Sequence, residues 1–432
     1  MKIASLSPDQ APPIAVPLGF FAVAPVFLVL AALLLATGDG NPFGNAHSPA
    51  LLAATHCITL GFMAMIMVGA IQQVLPVLIG SQIPSPRLVA WLTMLPLTVG
   101  ALLLTSGFVL GNPELLDFSW ALLGSAFLIF IGASLFSLAR AQAKNPTRTA
   151  ILLSILSLAG AVALGMLLAR GYAAGLPIPY ASLATAHISL ALGGWVMLLI
   201  IGVSYQVVPM FQLTPNYPKW LTASLVPAIF AALLLSLMPL LFEPAPRWPG
   251  LVAEVIFWLL ACCFAVVTLK LQSQRRRRVP DATLSFFRLG MLSLLVAALL
   301  SLASLLSPAN GDHLRTLSVL AFLPGFAMSV ILGMLYKIVP FLVWFHLFRG
   351  GASAVKAGIP NMKEIIPERW MWWHLWLHGG TLLAALLATR WDMAAWLVIP
   401  GLLLQGILLG CAIFTGIAVY RRTLRRIEHT SP

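Results

Sequence analysis

An imidazole opens one of the most apolar stretches of this chain: from His56 to Gly80 the sequence reads HCITLGFMAMIMVGAIQQVLPVLIG. Neutral imidazole and thioether sulfur both ligate heme iron and Cu(I). At α-helical spacing, Met63 and Met67 continue the His56 face at i+7 and i+11. His187 opens a similar stretch, HISLALGGWVMLLIIGVSYQVVPMF, and is the second candidate ligand. A third constellation, WMWWHLWLHGG, places His374 and His378 at i,i+4 on one helix face, a spacing able to clamp one metal ion. Each of these histidines has a structural reading as well, because a ring inside a membrane can satisfy itself on a neighbouring carbonyl, and methionines commonly fill cores. His313, beside Asp312 and Arg315, reads as a surface residue, as does His346 beside Arg349. Gln73, Gln206 and Lys337 would line a polar constriction if the chain encloses a pore, although Lys337 can instead snorkel to the headgroups.

What must position these side chains is a set of membrane helices. Of the 432 residues, 60% are hydrophobic and only 9% charged, with a mean hydropathy of +0.97, too apolar for a soluble core. A span needs about 20 apolar residues, and twelve segments qualify, near 18–37, 52–79, 89–110, 117–140, 149–169, 181–209, 220–241, 250–271, 286–306, 317–347, 371–388 and 394–419. The first lacks the basic lead and small-residue cleavage site of a signal peptide and reads as retained.

Charge sets the orientation. With the N-terminus inside, Arg170, Arg247, Arg315 and Arg390 are outside and Lys337 lies within a span, which leaves 20 of the 25 Lys and Arg on the inner side. By the positive-inside rule both termini are then cytoplasmic, in the inner membrane of a bacterium. The RRRR run at 275–278 is an anchor beside anionic lipid rather than a nucleic-acid site. Cys57, Cys262, Cys263 and Cys411 all fall within spans and make no disulfide framework.

An internal repeat organises the spans. Anchored on Pro76, Pro209 and Pro340, spans 2, 6 and 10 share a glycine seven residues earlier (Gly69, Gly202, Gly333) and another fifteen earlier (Gly61, Gly194, Gly325). An aromatic follows each outer glycine (Phe62, Trp195, Phe326), and Gln73, Gln206 and Lys337 recur three residues before the proline. Glycines eight apart lie about 80° apart on a straight α-helix, one broad face that admits a neighbouring backbone. The anchors are 133 and 131 residues apart, four spans per repeat. The expected fold is therefore all-α: one integral membrane domain over 1–432, with twelve spans in three pseudo-threefold arcs, roughly 89–209, 220–347, and 371–432 plus 18–80.

Twelve spans, cytoplasmic termini and a threefold four-span repeat resemble subunit I of the heme-copper oxidases and nitric oxide reductases. Span 2 carries most of the likeness, with His56, Gly69, Pro76, Ile79-Gly80, Pro86-Arg87 and Trp91 standing where that family has a heme-ligating histidine, a Gly/Pro stretch, Ile-Gly and Pro-Arg before Trp. The opening histidine followed by LGF, GA and P is also similar to NnrS-type heme- and copper-containing membrane proteins. The resemblance implies heme, of b type, or copper as cofactor, with His56, His187, Met63 and Met67 as candidate ligands.

Departures from the family bear on activity. Oxygen or nitric oxide reduction there uses histidines on helices 6 and 7 and a close pair on helix 10, yet span 7 here has none and Leu320 occupies the His56 position of span 10. The expectation is a noncatalytic relative in electron transfer, nitric oxide response or metal and heme handling, with a respiratory electron-transfer protein as partner. The competing expectations are a small-solute or metal-ion permease, and a ligand-free subunit of a respiratory complex.

Overall fold

Helix ends in this chain follow from local chemistry. Asn112 and Asn145 each accept hydrogen bonds from the first turn of a helix that begins with proline at N1, where the missing N–H costs nothing. Ser48 caps the helix that begins at Pro49 in the same way. Gly80, Gly111 and Gly175 close helices in the left-handed conformation that favours glycine.

The computed structural model describes residues 11–38, 40–45, 47–238, 248–307, 309–348 and 358–430. Lys2, Arg247, Arg349 and Lys356, which enter the charge argument, lie outside the described residues. Eleven described helices are long and apolar enough to cross a membrane: α1 Ala15–Leu35, α2 Pro49–Ile79, α3 Pro86–Leu110, α4 Pro113–Arg140, α5 Pro146–Ala174, α6 Tyr180–Gln212, α7 Lys219–Ser236, α8 Trp248–Ser273, α9 Ala282–Leu306, α10 Gly311–Phe348, and a last one, α12, from Asp392 to Thr430. Between the last two lies α11, Glu368–Ala388, 21 residues long but less apolar, because charged, indole and imidazole groups crowd its first half. No strand occurs among the described residues. Large apolar side chains such as Leu128, Leu299 and Trp396 point outward and exposed, a surface that requires lipid. The chain is an integral membrane protein.

Consecutive helices pack on one another, and α1 closes against α12. Burial separates three helices from the rest: α2, α6 and α10 are 78%, 67% and 72% buried over their apolar windows, against 28–56% for the other eight. These are the three helices of the repeat. Loops that follow even-numbered helices share one face. Ser81 and Ser137 exchange hydrogen bonds with each other's carbonyls, the Arg276 amide donates to the Leu213 carbonyl, and His346 reaches the Pro12 carbonyl. On the other face Asn41 donates to Ala388 and Asp392.

The repeat has a structural counterpart that extends beyond the glycines. Each of α2, α6 and α10 is interrupted by a π-helical stretch, at Cys57–Ala64, Ser189–Met197 and Ala321–Met328, and each stretch ends 12 residues before its anchoring proline (76 − 64, 209 − 197, 340 − 328). A Cβ on Gly61, Gly194 or Gly325 would collide with Phe27, Ser157 or Ser293, and one on Gly69, Gly202 or Gly333 with Phe20, Ala150 or Phe286. The partners sit on the preceding helix, seven residues apart each time (27 − 20, 157 − 150, 293 − 286). The glycines are eight apart because the π stretch, with its i→i+5 bonds, takes up one extra residue. The 80° offset expected for a straight helix is thereby removed, and both glycines of each pair meet one and the same neighbouring helix.

Candidate functional site

His56 is the last α-helical residue before the first π stretch, and His187 stands two residues before the second. The His56 Nδ1–H donates to the Leu52 carbonyl of its own helix at 2.8 Å, with its ring 5.3 Å from that of Phe108 on α3. The His187 Nδ1–H donates across to the Ala161 carbonyl of α5, also at 2.8 Å. Gly165, one turn further along α5, lets that ring lie flat, since a Cβ there would stand 2.9 Å from His187 Cε1. A carbonyl oxygen can only accept, so both neutral rings carry the proton on Nδ1 and the lone pair on Nε2.

Met63 lies within the π stretch that follows His56 and Met67 beyond it, so the i+7 and i+11 reckoning of a straight α-helix does not carry over to them. Met63 and Met67 are buried in the core, whereas His56 is half-buried beside α3. Among the described residues no group of three or more His, Cys, Asp and Glu side chains is placed to hold a metal ion.

His374 and His378 are both buried on α11, facing neighbouring helices. The His378 Nδ1–H donates to Gln405 Oε1 of α12 at 2.8 Å, and its Nε2 accepts from the Ser329 hydroxyl of α10 at 2.9 Å. His374 Nδ1 is 2.8 Å from the Tyr336 hydroxyl, while its Nε2 is buried with no hydrogen-bond partner among the described residues. Phe286 contacts both imidazole rings. With both nitrogens of His378 engaged, the pair does not offer two free nitrogens to one ion. It is instead the hub of a polar cluster that joins α10, α11 and α12. Sequence reasoning missed Ser329, Tyr336 and Gln405. Tyr336 was visible as an aromatic hydroxyl four residues before the repeat proline, the position held by Gln72 and Tyr205 in the other two copies.

The three polar repeat positions have different surroundings. Gln73 is buried with no partner for either amide atom among the described residues, as is Gln72 beside it, whereas Gln206 is exposed. Lys337 pairs with Asp281, the N-cap of α9, at 2.9 Å. Burial raises the Asp281 carboxyl, yet hydrogen bonds from Thr283 and the Lys337 ammonium outweigh that effect and hold it below the usual carboxylate range. His313, expected in a loop, lies in the first turn of α10. His346 has a carbonyl at each ring nitrogen, Leu342 and Pro12. All four cysteines are free.

No protein-family model and no curated protein matches this chain.

Proposed function

We propose that the protein is a noncatalytic membrane relative of oxidase subunit I that holds copper, or a heme iron, between His56 and His187 near the outer face. In this reading its twelve helices form three four-helix arcs, 89–209, 220–347, and 371–432 plus 18–80, with both termini cytoplasmic in a bacterial inner membrane. The observation that carries the reading is the matched tautomer: two imidazoles on different helices, each with Nδ1–H locked on a carbonyl, both directing chemistry to Nε2. Ligating histidines are held in this way, since the outer hydrogen bond fixes the ring and raises the basicity of the free nitrogen.

The donor set fits copper better than it fits a porphyrin. Two neutral imidazoles can hold a bare copper ion, while the large described cavity adjoins another flank of α6, lined by Thr185, Ala186 and Ser189, not the flank on which His187 meets α5. Bound metal would supply one-electron chemistry. The chain's own part is to orient the two rings, exclude water and keep both Nε2 atoms unprotonated. Electron transfer to a respiratory partner, nitric oxide response and metal or heme handling all suit such a site.

Metal analysis and absorbance of protein expressed with copper and heme available test the proposal. The wild type should carry one copper, or a Soret band, per chain. His56→Ala and His187→Ala should each lose it, because a two-ligand site does not survive the loss of either ligand, and His374→Ala should retain it. Wild-type protein with neither group would overturn the assignment. A permease reading then draws on Gln72 and Gln73, whose four buried amide atoms have no partner among the described residues and would suit a polar path.

A further inference from the structure

A cavity of about 590 Å³ opens among α6, α7, α8, α9 and α10, within the roughly 300–1,000 Å³ range of small-molecule sites. Its lining comes from the beginnings of α6, α8 and α10 and the ends of α7 and α9, which places it in the half of the molecule opposite the face shared by the even-numbered loops. Most of the wall is apolar and aromatic, including Phe257, Trp258 and Phe322, whose rings pack edge to face in sequence.

Two opposite charges line this one cavity. Glu254 of α8 accepts a hydrogen bond from the Ser301 hydroxyl at 2.8 Å, and Arg315 of α10 reaches Ser304 through Nε at 3.4 Å. The ion pairs among the described residues are Arg170 with Asp117 and Lys337 with Asp281, so the two cavity charges are partnered by hydroxyls and not by each other. Glu254 is half-buried and Arg315 exposed, both near the ends of their helices and beside an apolar wall, where a charge gains from a ligand of opposite sign. A ligand that complements both must present a cation to Glu254 and an anion to Arg315, and its remainder must be apolar to cover the aromatic wall.

We propose that this cavity binds a zwitterionic amphiphile with an ammonium–phosphate head, a phospholipid of the phosphatidylethanolamine type drawn from the bilayer. The primary ammonium donates to the Glu254 carboxylate beside the faces of Phe257 and Trp258. The phosphate takes the Arg315 guanidinium. Hydroxyls of Ser182, Thr185 and Ser189 on α6 complete the polar rim, and the upper acyl segments lie along the apolar wall. An anionic lipid without the ammonium meets Arg315 favourably and Glu254 unfavourably, and a choline head has no N–H to donate.

Native mass spectrometry of the detergent-purified chain, titrated with phosphatidylethanolamine, phosphatidylglycerol and phosphatidylcholine, tests this. The wild type should retain phosphatidylethanolamine at least fivefold better than either of the others. Glu254→Gln should erase the preference over phosphatidylglycerol, Arg315→Gln should weaken both lipids, and Ser189→Phe, which occupies the cavity and leaves both charges in place, should exclude them. Thermal unfolding and gel filtration establish that each variant is folded, and Ser189→Phe keeps the test valid if a charge variant is not. Equal retention of the three lipids, or a preference untouched by all three substitutions, overturns the proposal. So does water-soluble glycerophosphoethanolamine bound as tightly as the lipid, which would remove the amphiphile from the assignment.

Discussion

At the scale of single residues, the histidines of this protein divide by what their second nitrogen does. In His56 and His187 one nitrogen is held by a carbonyl and the other carries a lone pair, the state from which a metal is bound. In His378 both are used within the protein, and in His374 the unpaired Nε2 is enclosed. A buried polar atom without a partner costs about 1–3 kcal/mol, so the cluster around His374 has little reserve. Tyr336→Phe keeps the shape of the side chain and removes the one hydroxyl that meets this ring. It should lower stability by about 1–3 kcal/mol, read as a lower thermal midpoint in detergent, while metal content stays at the wild-type level. An unchanged midpoint would show that the Tyr336–His374 contact contributes nothing to stability.

At the scale of helices, the recurring unit is a pair: an odd-numbered helix without a π stretch and the π-interrupted helix that follows it. The unit repeats in α1/α2, α5/α6 and α9/α10 with glycines that the neighbour occupies closely. Close backbone approach replaces the hydrophobic drive that lipid cannot supply between helices. Gly202 shows how tight this is, because a Cβ there would overlap the Cβ of Ala150, which has no rotamer by which to move aside. Gly202→Ala should therefore force α5 and α6 apart and cost about 1–3 kcal/mol as overpacking. Gly132 on α4 has open space where its Cβ would be, so Gly132→Ala should change stability by less than about 0.5 kcal/mol. Equal thermal midpoints for the two variants would remove the close-packing account of the repeat.

For the whole molecule, the even-numbered loops meet on one face, and that face carries the arginine run at 275–278 and the basic end of α12. In the orientation proposed above, which the positive-inside rule favours, this face is the cytoplasmic one. A phosphatase or fluorescent reporter fused after Arg426 should behave as cytoplasmic, and one inserted between Gly175 and Ile178 as periplasmic. The reverse result would put His56, His187 and the cavity beside Glu254 on the inner side of the membrane, and the outer-face site would have to be abandoned.

Much of this architecture is legible in the sequence because it depends on chemistry within a turn or two of helix. Apolar runs of span length mark the helices, and the glycine–proline register marks α2, α6 and α10 as equivalent. The site was legible only in part. His56 and His187 stand out as imidazoles in apolar runs, yet the carbonyl that orients His187 comes from Ala161, 26 residues away on another helix. The facing of Met63 and Met67 was not legible because side-chain direction is the accumulated sum of every residue's turn, and the switch from i→i+4 to i→i+5 bonding within Cys57–Ala64 alters that sum. Likewise Glu254 and Arg315 lie 61 residues apart (315 − 254), and Ser329, Tyr336 and Gln405 are unremarkable alone. Only the packing of separate helices makes a cavity of the first pair and a polar cluster of the others, since burial and partnership are properties of the space between helices.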